Sequence, residues 1–312
     1  VTKWFDTNYH YLGPEFERGQ RFRIGSEKIF RELEEARTAG MVARPVLLGP
    51  LSFLSLGKLA DADLERPEVL AGLLPVYEEI FSRLAATGVD WVQLDEPFLA
   101  LDLCEGGKAG YRRVYEHLAR LPRPKMLLTT YFEGLRDNLD LACELPVEGL
   151  HLDLVRAPDQ LEPALARAGD KTLSLGVVDG RNIWRNDLSR SLAQVERAVE
   201  VLGSYHVQVA PSCSLLHTPV DLEEEGALDP ELKGWMAFAV QKLGELALLA
   251  RGATEGREAI ADELAASDEA RERRENSPRT FDRAVRERVA GVTPEMIRRH
   301  SPFAERSPLQ HE

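Results

Sequence analysis

Cysteine is scarce in this sequence. Only Cys104, Cys143 and Cys213 occur among 312 residues, and no two of them form a CxxC pair. An odd, sparse count without paired spacing does not make a secreted disulfide framework, and a reducing cytoplasm is the expected compartment. Long apolar runs are also missing. No stretch of about 18 apolar residues exists to cross a membrane. The opening VTKWFDTNYHY has no charged-then-apolar leader, so no signal peptide is expected. Positive charge is in deficit, with 39 basic against 52 acidic side chains and a net charge of −13. That balance excludes a general nucleic-acid or anionic-membrane surface, while leaving room for one small anion beside local lysines. Nucleotide motifs are absent too. Neither G-x-G-x-x-G nor G-x-x-x-x-G-K-[ST] occurs, which counts against a dinucleotide or P-loop fold. No internal repeat is visible at solenoid periods.

What the sequence does contain is alternation. Seven segments read as strands: residues 2–11, 45–53, 91–95, 125–131, 149–155, 172–178 and 206–212. Several are near-continuous apolar runs, such as PVLLG, KMLL and LSLGVV, the pattern of parallel strands buried on both faces. Amphipathic stretches lie between them. Ser26 is a plausible cap for a helix running to Ala39, with Gly40 beyond its end. Further helices are expected over 73–87, ending at Gly88, over 187–202, ending at Gly203, and over 230–250. Strands and helices joined by short connections imply βα units, in a doubly wound open sheet or a closed (β/α)8 barrel.

Polar residues favour the barrel. They gather at the ends of successive strands: Asp6, Asn8 and His10; Asp95 and Glu96; Thr129, Thr130 and Tyr131; His151 and Asp153; Asp179; Ser212 and Cys213. In a barrel those ends converge on one mouth. With seven strands for eight places, one is expected to be missing, most economically before residue 1. After residue 251 the chain becomes rich in Arg and Glu, as in DEARERRE. Residues 1–251 therefore read as the barrel, and 252–312 as a charged helical extension with a linker from about Ser301.

Several residue sets could carry chemistry. His10, Glu96, His151, Asp153, Cys213 and His217 include the N, S and O donors that zinc takes, although no HxH, HExxH or CxxC spacing marks a site. The competing reading is polar residues bracing a barrel mouth. Asp95 and Glu96 could be a general acid/base pair, or one could cap the turn before Pro97, since adjacent strand residues point to opposite faces. Cys213 and His217 could be nucleophile and base, or Cys213 could be packing. Arg181, with Asn182 and Trp184 after the sixth segment, could hold a carboxylate ligand or bridge to a neighbouring loop. Lys3 reads equally as a surface lysine.

In order along the chain, TKWFDTNYHY (2–11), RPVLLGP (44–50), LLPVYEEIF (73–81), GVDWVQLDEP (88–97), LLTTYFEGL (127–135), LPVEGLHLDLVR (145–156), LGVVDGRNIWR (175–185) and VAPSCSLLHTPVDLEEE (209–225) resemble the cobalamin-independent methionine synthase family. The resemblance implies the N-terminal one of two face-to-face (β/α)8 barrels, without the family's opening strand and its Phe-Pro-Arg motif. It implies an enzyme that moves the methyl group of 5-methyltetrahydropteroyltri-L-glutamate to L-homocysteine, making L-methionine. The zinc and the homocysteine site of that family belong to the C-terminal catalytic barrel, which this sequence lacks. No cofactor, metal or catalytic residue is thus expected here, and the chain alone is expected to be inactive. Lys3 matches the family's lysine for the folate triglutamate tail. A stand-alone binding module and a metal-dependent hydrolase on the same fold are the alternatives.

Overall fold

Six parallel strands form the central sheet of the computed structural model, which describes residues 1–309; the last residues of the expected linker, 310–312, lie outside it. The strands are β1 (Val46–Leu48), β2 (Trp91–Asp95), β3 (Lys125–Thr129), β4 (Gly149–Asp153), β5 (Thr172–Val178) and β6 (Val207–Pro211). Their spatial order is β6-β5-β4-β3-β2-β1, and every pairing is parallel. Strand order thus follows chain order without reversing. A doubly wound sheet has a reversal point, so this singly wound order argues against that alternative.

Among the described residues the sheet does not close. β1 and β6 end the sheet, and residues 2–11 do not join it. The expected first strand is instead a small antiparallel hairpin, Thr2–Lys3 against His10–Tyr11. Its turn explains why. Phe5 takes a left-handed φ of 52°. The Thr7 hydroxyl donates to the Trp4 carbonyl at 2.6 Å, and the Trp4 N–H donates to the Tyr9 carbonyl at 2.7 Å. Short polar side chains that bond their own backbone favour turns over strands.

Helices cover the outer face: α1 (Lys28–Thr38), α2 (Arg66–Thr87), α3 (Glu105–Ala119), α4 (Leu188–Leu202), α5 (Ala239–Glu255) and α6 (Ala261–Asn276). Gly40, just beyond the end of α1, takes φ +74°, as the sequence predicts. α2 begins well before residue 73, with Pro67 in the first turn, where a missing N–H costs nothing. The single helix expected over 230–250 is broken. A short helix, Pro230–Gly234, precedes α5, because the backbone between them pairs with the loop after β5: Ala237 N–H donates to Ile183 O and Arg185 N–H to Trp235 O. The linker expected from Ser301 contains a short helix, Phe303–Leu309.

The core lies between sheet and helices. β4 and β5 are buried along their whole length, as the apolar runs predict. The edges differ: no residue of β6 is fully buried, and Val46 of β1 is 51% exposed. One hydrogen bond spans the two edges, Arg44 Nη1 to Gln208 Oε1 at 3.1 Å.

Candidate functional site at the strand ends

The C-terminal strand ends and the hairpin enclose a cavity of about 620 Å³, walled by Trp4, Tyr9, Tyr11, Tyr131, His151, Cys213 and their neighbours. The hairpin is held over this mouth by side chains. Phe5 packs edge-on to Phe98 and Phe132, at centroid distances of 5.6 and 5.9 Å. Arg181 Nη1 donates to Asp6 Oδ1 at 2.8 Å while its guanidinium lies 4.8 Å from the Phe132 ring centroid. Of the two readings of Arg181, a bridge to a neighbouring loop is the one found. Lys3 is exposed on the hairpin, in register with His10.

Asp95 and Glu96 part company, as adjacent strand residues do. Asp95 lines the cavity, accepting from Gln93 Nε2 at 2.8 Å and from the Tyr131 hydroxyl at 3.2 Å. Burial pushes its carboxyl up to about 6, against the pull of those two donors. Glu96 faces the helix layer and is wholly buried. It accepts from the N–H groups of Leu51 and Ser52, at 3.2 and 2.7 Å, and from the hydroxyls of Tyr111 and Tyr115, at 3.2 and 3.1 Å. Burial raises it to about 7, with these donors opposing. A Cβ on Gly49 would sit 2.2 Å from the Glu96 carboxyl carbon, so only glycine fits there. Glu96 is therefore a capping carboxylate and no partner of Asp95; the helix it caps is Pro50–Leu56, not the turn before Pro97.

His151 is buried at the cavity floor. Its Nε2 stands 3.3 Å from the Ser212 carbonyl and its Nδ1 2.9 Å from Ser174 Oγ. A carbonyl only accepts, so Nε2 carries the hydrogen and Nδ1 accepts from the serine. Burial lowers the imidazole to about 4, which keeps it neutral. Gly176 makes room, since a Cβ there would lie 3.0 Å from the His151 ring. Asp153 spends its oxygens on the N–H groups of Phe132, Val155 and Arg156, at 2.9–3.1 Å. Burial raises it to about 6. Cys213 is a protonated thiol, pushed up to about 12 by burial, and is placed 3.8 Å from the Ser214 carbonyl. His217 packs its ring on Tyr9 and Phe132.

The six residues considered as metal donors thus do not act together. Glu96 faces away, and both His151 nitrogens and the Asp153 oxygens are engaged. Among the described residues no group of three or more His, Cys, Asp or Glu side chains is placed to hold a metal ion. Among the described residues Cys213 and His217 share no hydrogen bond with each other, so they are not arranged as nucleophile and base. Sequence reasoning missed Arg44 and Gln208, whose meeting depends on sheet curvature. It also missed Lys242, which sits in AVQKLGEL like a surface residue yet is wholly buried.

The chain is an α/β protein with a singly wound parallel sheet and polar strand ends around a cavity. The chain belongs to the cobalamin-independent synthase family: residues 1–203 match the model of that family's N-terminal domain. A 5-methyltetrahydropteroyltriglutamate–homocysteine methyltransferase of Nitrobacter winogradskyi is 54% identical over 100% of this chain and 41% of its own length. One of Caulobacter vibrioides is 52% identical over 99% of this chain and 40% of its own. The chain thus spans about two fifths of these relatives. A putative vitamin-B12 independent methionine synthase from Listeria monocytogenes shares the fold, with a TM-score of 0.51 at 16% identity over 64% of this chain and 66% of that one. No helix among the described residues is long and apolar enough to cross a membrane.

Proposed function

We propose that this chain is the folate-tail-binding portion of a cytoplasmic methyltransferase that moves the methyl group of 5-methyltetrahydropteroyltri-L-glutamate to L-homocysteine. The observation that carries the reading is 54% identity along the whole chain to a relative with that name. In this reading residues 1–251 are the N-terminal barrel and 252–312 a charged extension. On the same reading the chain works with a catalytic barrel, for which the remaining length of such relatives leaves room. Zinc belongs to that second barrel. The residues here do not fit it, because no donor group of three converges among those described.

One further strand closes the barrel. It lies between β1 and β6, parallel to both. Inserting one strand requires edges about 9.5 Å apart, twice the strand spacing. An arginine and a glutamine meeting head to head, as Arg44 and Gln208 do, reach across a gap of that order.

Lys3 supplies an ammonium to a carboxylate of the glutamate tail. Its support is exposure on the hairpin at the cavity mouth, in a chain whose net charge of −13 otherwise repels a polyanion. In the full-length enzyme, Lys3→Ala should raise the Michaelis constant for the triglutamate donor about tenfold, equivalent to about 1.4 kcal/mol, with little change in turnover. The effect should shrink for a monoglutamate donor and at high salt. Equal losses with both donors would show that Lys3 supports the hairpin instead.

A further inference from the structure

A second cavity, of about 220 Å³, lies beyond the strand ends, between the loop after β5, the first turns of α4, and helices α5 and α6. Its charge runs against that of the chain. Arg185, Arg190, Arg271, Arg274 and Lys242 line it, against the carboxylates of Asp179 and Asp187. Those two carboxylates already have partners. Asp179 accepts from the Arg181 N–H and from Asn182 Nδ2, both at 2.8 Å. Asp187 caps α4 by accepting from the Arg190 N–H at 2.9 Å.

The cations are unevenly served. Lys242 is wholly buried with the Glu245 carboxylate as its main charged neighbour, yet among the described residues its ammonium hydrogen-bonds only two neutral oxygens, Asn182 Oδ1 at 3.1 Å and Trp184 O at 3.0 Å. An ammonium has three donors, so one is unfilled. Arg271 pairs with Glu275 at 3.4 Å and with Asp268 and Asp187 at 3.6 Å, yet its Nε is buried without a hydrogen-bond partner, the approach to Asp187 Oδ2 being too long to be one. Arg274 lies over the Trp184 ring at 5.0 Å, and neither it nor Arg190 has a salt bridge among the described residues. Leaving buried donors unmade is costly, so the open positions on Lys242 and Arg271 Nε, beside the unpaired Arg190 and Arg274, call for an anion.

We propose that this cavity binds a phosphate group, either free phosphate or the head of a phosphate monoester. Donors approach it from α4, α5 and α6, and a tetrahedral dianion accepts from several directions at once, where a planar carboxylate suits a single guanidinium fork. At roughly 30 Å³ per water, about 220 Å³ holds a phosphate with a few waters. The proposal is independent of the methyl-transfer reading, since it uses other residues and a binding readout.

The test is calorimetric titration of the intact chain with inorganic phosphate and, separately, with glycerol phosphate, at constant ionic strength set by chloride. Saturable binding of one phosphate per chain is expected. Binding of inorganic phosphate alone assigns the site to the free ion, and binding of glycerol phosphate as well assigns it to a monoester head. Arg190→Gln and Arg274→Gln should each weaken the affinity at least tenfold while leaving the phosphate-free melting temperature near that of the parent. Arg190 is exposed, so its variant keeps the test decisive even where loss of the Arg274–Trp184 stack unfolds the chain. No saturable heat above the chloride control, or an unchanged affinity in Arg190→Gln, would overturn the site.

Discussion

The middle of the sheet and its two edges are built from the same kind of strand and end in different states. β4 and β5 are buried at every position. β6 is only half-buried throughout, and β1 has an exposed valine at its start. Apolar sequence alone does not secure burial; a strand needs neighbours on both sides and layers on both faces. β4 and β5 have both, whereas β1 and β6 each lack a neighbour on one side. The one bond between these edges is a side-chain contact, which leaves their outer backbone groups unpaired by any strand.

The largest effect expected from this contrast concerns pH. His151, in the buried β4, has an imidazole lowered from 6.5 to about 4 by burial. The folded state therefore prefers the neutral ring. The resulting stability is complete above pH 6.5, where the unfolded ring is neutral too, and is lost as pH falls toward 4. At 1.36 kcal/mol per unit, the parent should lose about 3 kcal/mol relative to His151→Gln across that window. Asp95, Glu96 and Asp153 are raised by burial and act in the opposite sense, favouring the folded state in acid, so only the difference between the two proteins isolates the histidine. Parallel acid limbs in chemical denaturation would mean that water reaches the ring.

A matched pair of truncations tests burial itself. Val177 on β5 is 3% exposed, whereas Val209 on β6 is half-buried. Val177→Ala should cost about 2–3 kcal/mol and Val209→Ala about 1, from lost transfer energy plus the cavity left behind. Equal costs in urea unfolding would indicate that the open edge is covered in solution, for instance by a second copy.

The smallest effect belongs to the bridge. Arg44→Met removes one hydrogen bond between the edges and should cost about 0.5–1.5 kcal/mol. If one inserted strand closes the barrel, the same change in the full-length enzyme should cost less, because backbone pairing then joins the edges. A greater loss there would give Arg44 a role in the closed barrel.

Sequence by itself determined the positions of β2 to β6, because parallel strands buried on both faces are written as local apolar runs, and it determined helix ends where glycine must take a left-handed φ, as at Gly40 and Gly88. Its motifs also carried the family. The tertiary structure decided the rest. TKWFDTNYHY has a strand's composition, but Thr7 and the packing of Phe5 on Phe98 and Phe132 turn it into a hairpin over the mouth. Asp95 and Glu96 are one residue apart and look equivalent, yet one lines a cavity and the other caps a helix whose first residue lies more than forty positions earlier. Arg44 and Gln208 are 164 residues apart, and Lys242 lies about 60 residues from the oxygens that hold its ammonium. Local pattern reports on the turn or strand a residue sits in; which distant group meets a long polar side chain is set by how the layers pack.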